Sequence, residues 1–116
     1  MLNKREIGSA YEKLAGKFLE KKGLKILQYN FRCRTGEIDL IAKDGAYYVF
    51  VEVKYRHTKD QGWAVEAVNK NKQQKILRVA QYYLITNVHS VDVPCRFDVL
   101  AIDGEEITWY QDAFQL

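Results

Sequence analysis

The sequence predicts an α/β domain, a mixed central sheet flanked by helices, in the order α-β-β-β-α-β-β. Three observations carry this expectation. Two stretches repeat apolar residues every three or four positions, the mark of a helix with one buried face. Five shorter runs are rich in Val, Ile, Tyr and Phe and are bounded by Gly, Asp and Asn, as strands are. The 116 residues contain no repeat, no low-complexity tract and no linker long enough to separate two cores, so 1–116 reads as a single domain.

The first helix is read over Arg5–Lys22. Ile7, Tyr11, Leu14 and Phe18 form its apolar stripe, Ala15 and Leu19 widen it, and Gly23 after Lys21-Lys22 suits a helix end. Glu12 falls on the shoulder of that stripe, from which it can face solvent or look along the sheet. Leu24–Arg32 reads as the first strand, and Arg32, Arg34 and Thr35-Gly36 make a short basic turn after it. Asp44-Gly45 is a strong hairpin signal, so Glu37–Ala42 and Tyr47–Arg56 are expected to pair antiparallel. His57–Trp63 reads as a polar loop able to meet a ligand, with Trp63 against the sheet edge or exposed as a stacking surface.

The second helix lies within Trp63–Thr86. Val65, Val68, Ile76, Val79 and Tyr83 keep its period, and Lys72 is the one polar break in the stripe. Its first half, Asn69–Lys75, is dense in amides and lysines, which suits either a solvated face or phosphate contact. A linker, Asn87–Val93, and Pro94 precede the strand Arg96–Ile102. Asp103-Gly104 then turns the chain into a short last strand, Glu106–Tyr110.

Composition sets broad limits. Hydrophobic content of 47% is ordinary for a soluble protein, and no apolar run approaches the roughly 20 residues that span a bilayer. The charged first residues are followed by no apolar signal core, so the expectation is a cytoplasmic protein that does not enter membranes. Cys33 and Cys95 form no CxxC pair and are expected as small, semi-buried residues. A formal charge of +3 is a mild pointer to polyanions and no more.

The chemistry concentrates in Gly36–Arg56. Alternation puts Glu37 and Asp39 on one face of their strand, with Ile38 and Leu40 on the other. In the next strand Val49, Val51 and Val53 share a face, and Phe50, Glu52 and Lys54 share the opposite one. Burying an acid and a lysine is costly unless they are paired or bind a metal. Asp39 and Glu52 on adjacent strands, joined by the main-chain oxygen of Val53, would offer oxygen ligands suited to Mg²⁺ or Mn²⁺. Lys54 could orient or deprotonate a water, or stabilise charge on a phosphate oxygen. The substrate implied is a phosphodiester; the competing reading is a structural ion pair of Glu52 with Lys54 or Arg56. His57 and His89 lack zinc-site spacing, and no Walker A loop, GxGxxG or nucleophile elbow is present.

Gly36–Ala42 followed by Val49–Lys54 resembles the YraN-like family of small bacterial proteins. It also resembles the wider PD-(D/E)xK nuclease superfamily, which includes restriction endonucleases and archaeal Holliday junction resolvases. The resemblance covers nearly the whole chain, through Gly8–Ala15, Asn30–Cys33, Ala67-Val68 with Lys72-Gln73, and Arg96–Val99. It implies a restriction-endonuclease-like core in which Asp39 and Glu52 hold the metal and Lys54 is the superfamily lysine. Glu12 would be the first-helix acid of the resolvase-like branch, and Gln73 a polar second-helix position facing the site. Three positions depart from the wider pattern: Tyr11 and Tyr55 stand where a small residue and Thr are usual, and Ile38 stands where Pro precedes the aspartate.

The leading expectation is therefore a Mg²⁺- or Mn²⁺-dependent endonuclease, a deoxyribonuclease that hydrolyses DNA phosphodiesters. It extends to structure-selective cutting, on branched or single-stranded DNA, in repair or recombination. The alternative is a non-catalytic nucleic-acid-binding or assembly protein that keeps the fold. Arg32, Arg34, Arg56, Lys59, Lys70 and Lys72 are expected to rim the acids and meet DNA phosphates. A homodimer is expected too, because symmetric cutting of two strands needs two sites.

Overall fold

The computed structural model describes residues 3–56 and 68–114. Its elements are α1 (Lys4–Lys21), β1 (Lys25–Cys33), β2 (Gly36–Asp44), β3 (Tyr47–Arg56), α2 (Lys70–Tyr83), β4 (Cys95–Asp103) and β5 (Glu106–Tyr110). The order is the expected α-β-β-β-α-β-β, with a π-helical turn, Leu84–Val88, prolonging α2. His57, Lys59, Trp63 and Val65 lie outside the described residues.

Helix α1 begins at Asn3, whose side chain accepts from the Glu6 amide at 2.9 Å and donates to the Glu6 carboxylate at 2.9 Å. It ends at Gly23, whose φ of 96° a residue with a Cβ rarely adopts. The buried face of α1 is rolled relative to the expected stripe. Leu14 is 41% exposed, whereas Ala15, Gly16 and Leu19 are buried. The cause is a close approach at Gly16, where an added Cβ would collide with the ring of Tyr29 on β1. The buried face therefore runs back through Glu12, which moves from the shoulder of the stripe to its line.

The sheet has the strand order β1-β2-β3-β4-β5; every neighbouring pair is antiparallel except β3–β4. A parallel pair cannot be joined by a tight turn, and α2 lies on the connection between β3 and β4. The two helices cover opposite faces. Leu19 and Leu24 pack with Val49, Val51, Val53, Leu100 and Ile102 on one side. Ile76, Val79, Ala80 and Tyr83 pack with Phe31, Ile41 and Phe50 on the other. Alternation along β3 is as the sequence predicts. Each large side chain so buried contributes about 1.5–3 kcal/mol relative to exposure.

A second fastening holds the last hairpin. Asp98, fully buried in β4, accepts from Arg96 Nε at 3.2 Å, from the Trp109 indole at 2.9 Å and from the Asp112 amide at 2.9 Å. This acid is spent on structure. Both cysteines are free thiols and half-buried. Among the described residues no helix is long and apolar enough to cross a membrane.

Candidate functional site

The site forms where β2 leaves β3. Their pairing runs from Asp44↔Tyr47 to Leu40↔Val51, and one step further would set Asp39 opposite Glu52. There the Asp39 carboxylate takes over from the ladder: its Oδ2 accepts the Val53 amide at 2.9 Å. On the other side of β2, Asn30 lies across from Asp39 with φ 53°, a left-handed conformation that asparagine tolerates better than most residues. This interrupts the alternation expected of β2. Ile38 packs with the α2 cluster and Leu40 with the α1 cluster, so the two do not share a face. Asp39 sits at the crossover, within reach of both helices.

From the α1 side comes Glu12. Burial, then the nearby Asp39 charge, raises its pKa to about 7, while a hydrogen bond with Asn30 acts in the opposite direction. From the sheet comes Glu52, only 4% exposed. Burial and then Asp39 lift its pKa to about 7, against the pull of Lys72 and Lys54. Asp39 is also raised, by burial above all, although the Val53 amide and Lys54 favour its charged form. Lys54 is lowered by burial and by its contact with Lys72. The shared first cause is burial, which disfavours the charged form of each group.

From the α2 side comes Lys72. Its ammonium lies 3.2 Å from Glu52 Oε2, closer than Lys54 at 3.9 Å from the same atom. Burial pulls the Lys72 pKa down, but its contacts with Lys54 and Glu52 outweigh that and leave it raised. Lys72 falls on the face of α2 that buries Ile76, Val79, Ala80 and Tyr83, one turn earlier. The polar break in the stripe is thus the point where the helix passes over the acids.

The other expected residues are distributed more widely. Gln73 donates its side-chain amide to the Val68 carbonyl at 2.9 Å, which ties down the start of α2. Arg32 pairs with Glu37 at 3.0 Å on the surface. Arg56 pairs with Asp103 at 2.8 Å, joining the ends of β3 and β4. Arg34 and Lys70 are exposed. The carbonyl of Val53 leaves the same edge of β3 as its amide, toward Asp39.

A cleft of about 540 Å³ runs along Glu12 and is lined also by Lys4, Arg5, Asn30, Arg32 and Glu37. Sequence reasoning missed Lys4, Arg5 and Asn30 here. Two signals were available: basic residues in a first helical turn oppose the helix dipole, and Asn is disfavoured inside a strand. A cleft of about 570 Å³ around Tyr47, Arg96 and Phe114 lies at the other ends of β3 and β4, away from the acids. Tyr11 and Tyr55, the two aromatic departures noted in the sequence, stack on each other with centroids 4.1 Å apart and planes 11° apart. They form one packing unit beside Glu12, not two separate changes.

The model of the uncharacterised protein family UPF0102 matches residues 11–102, which spans Glu12, Asp39, Glu52, Lys54, Lys72 and Gln73. The chain belongs to this family. A protein of Salmonella newport (strain SL254) named UPF0102 protein YraN is 47% identical over 114 residues, covering 97% of this chain and 87% of the relative. The protein of the same name from Salmonella typhimurium (strain LT2) matches to the same extent. The YraN-like family resemblance read from the sequence is thereby shown for nearly the whole chain.

Proposed function

We propose that this UPF0102 protein is a divalent-cation-dependent phosphodiesterase that cuts DNA, with its active site at the divergence of β2 from β3. The observation that carries this reading is the meeting of Asp39, Glu52 and Lys54 at that point, with Glu12 reaching Asp39 from α1. Among the described residues no three acidic, histidine or cysteine side chains stand together as a ready-made metal cage. The donor set nonetheless fits a hard cation: the carboxylates of Asp39 and Glu52 and the Val53 carbonyl are all oxygen donors. Their raised pKa values express a shortage of positive charge that such an ion would relieve.

Asp39 and Glu52 would hold the ion, and when bound it would polarise the phosphate and acidify a water. Lys54, its pKa lowered by burial, is suited to orient that water, accept its proton or stabilise charge on a phosphate oxygen. Glu12, titrating near pH 7, can hold or release a proton in the neutral range. The cations along the Glu12 cleft would steer the phosphate backbone past this point. Structure-selective cutting in repair or recombination, by a two-fold dimer, is the form we favour.

The test is incubation with Mg²⁺ or Mn²⁺ and single-stranded, duplex, flap and four-way DNA, beside Glu52→Ala. Cleavage by the parent and none by the variant is the expected result. Absence of cutting on every substrate, or cutting that the variant retains, favours the non-catalytic nucleic-acid-binding reading instead.

A further inference from the structure

The contact of Lys72 with Glu52 is the most specific feature that a phosphate-binding reading of this lysine leaves unexplained. Both lysines contact the same oxygen of Glu52, and Lys72 is the nearer, at 3.2 Å against 3.9 Å. Their exposures differ in a telling way. The side chain of Glu52 is 6% exposed and that of Lys54 is 15% exposed, whereas that of Lys72 is 38% exposed. Of the three, Lys72 is the most open to water. Its backbone is fixed in the first turn of α2, where Asn69 caps the Lys72 amide at 2.9 Å. The four-carbon stem above that fixed point can carry the ammonium between Glu52 and solvent.

Resting on the cation-dependent reading above, we propose that Lys72 is a built-in occupant of the cation seat on Glu52, which a divalent ion takes only by displacing the ammonium. An ion coordinated through Glu52 Oε2 would compete with the ammonium 3.2 Å from that oxygen, because the two cations repel each other across one carboxylate. Lys54 is further from that oxygen, at 3.9 Å, and more buried, so it is the lysine that stays when Lys72 leaves. Lys72 is thus a positioning residue that sets how readily the site is loaded, keeping Glu52 neutralised in the metal-free protein. Asp39, which also feels the Lys72 charge, is released together with Glu52.

The experiment measures Mn²⁺ binding to the full chain without nucleic acid, by the loss of the free-ion electron paramagnetic resonance signal. The parent is compared with Lys72→Gln, Lys72→Met, Lys72→Arg and, as a control for net charge, Lys75→Gln on the exposed side of α2. Lys72→Gln should tighten Mn²⁺ binding about tenfold, the scale of one lost charge-assisted contact. Lys72→Met, which keeps the apolar stem, should do the same and serves if the glutamine variant does not fold. Lys72→Arg should stay near the parent, and Lys75→Gln should change the affinity less than about twofold. The proposal is overturned if neutral variants at position 72 bind no tighter than the parent, or if Lys75→Gln tightens binding equally. It is overturned too if neither the parent nor the neutral variants bind Mn²⁺. Tightening by Lys72→Gln in a protein that cuts no DNA would instead defeat the phosphodiesterase reading and leave this one standing.

Discussion

Glu52→Gln should make the metal-free protein more stable at pH 8, although it removes a residue assigned to the active site. The free carboxyl has a pKa of 4.5, and burial beside Asp39 raises it to about 7 in the folded chain. Between those two pH values the folded state holds a proton that the unfolded state has lost, so stability falls as pH rises. The contribution is fully present below about pH 4.5 and gone above about pH 7. Carried through at about 1.4 kcal/mol per pH unit, that interval is worth ~3 kcal/mol for a group acting alone. The pull of Lys72 and Lys54 on the Glu52 charge is already contained in that raised value. Urea unfolding followed by circular dichroism in EDTA should give equal stabilities for parent and variant at pH 4.5. At pH 8 the variant should lead, with a melting temperature higher by about 4 °C or more. A variant less stable than the parent at pH 8, or a difference that does not grow with pH, would refute the electrostatic account of the site.

Asp98→Ala should cost about 2–4 kcal/mol in urea unfolding, since it takes the acceptor from the Trp109 indole and leaves Arg96 with Asp44 as its remaining carboxylate partner; a loss under 1 kcal/mol would show that this acid does not fasten the last hairpin. Tyr11→Ala and Tyr55→Ala, combined in a double-mutant cycle, should show a coupling of about 0.5–1.5 kcal/mol from their stacked rings. Additive losses would mean that the two tyrosines pack independently.

Much of this architecture is legible in the sequence because one residue period holds along each element. Val49, Val51 and Val53 alternate with Phe50, Glu52 and Lys54, and the structure keeps both faces as read. The misreadings occur where a period is broken by a tertiary contact. Leu14 satisfies helical spacing yet lies exposed, because Gly16 lets α1 roll down onto Tyr29. Ile38 and Leu40 satisfy strand alternation yet part company, because Asn30 turns left-handed across from Asp39. In the site, Asp39, Glu52 and Lys54 could be picked out from residue type and spacing. Lys72 could be expected beside the acids, but not its pairing with Glu52, since a lysine in an apolar stripe shows no partner until the helix is laid over the sheet. Arg56 shows the reverse: it looks available beside the acids, but the parallel pairing of β3 with β4 brings Asp103 to it at 2.8 Å.

The central claim is that Lys54 works with Asp39 and Glu52 on a phosphodiester. It is tested most directly by the single-turnover rate of cutting an end-labelled DNA substrate at saturating Mn²⁺, for the parent and Lys54→Ala. Loss of a group acting on the water or the phosphate should slow the variant by about a hundredfold or more, with Mn²⁺ affinity close to that of the parent. Equal rates would contradict the account.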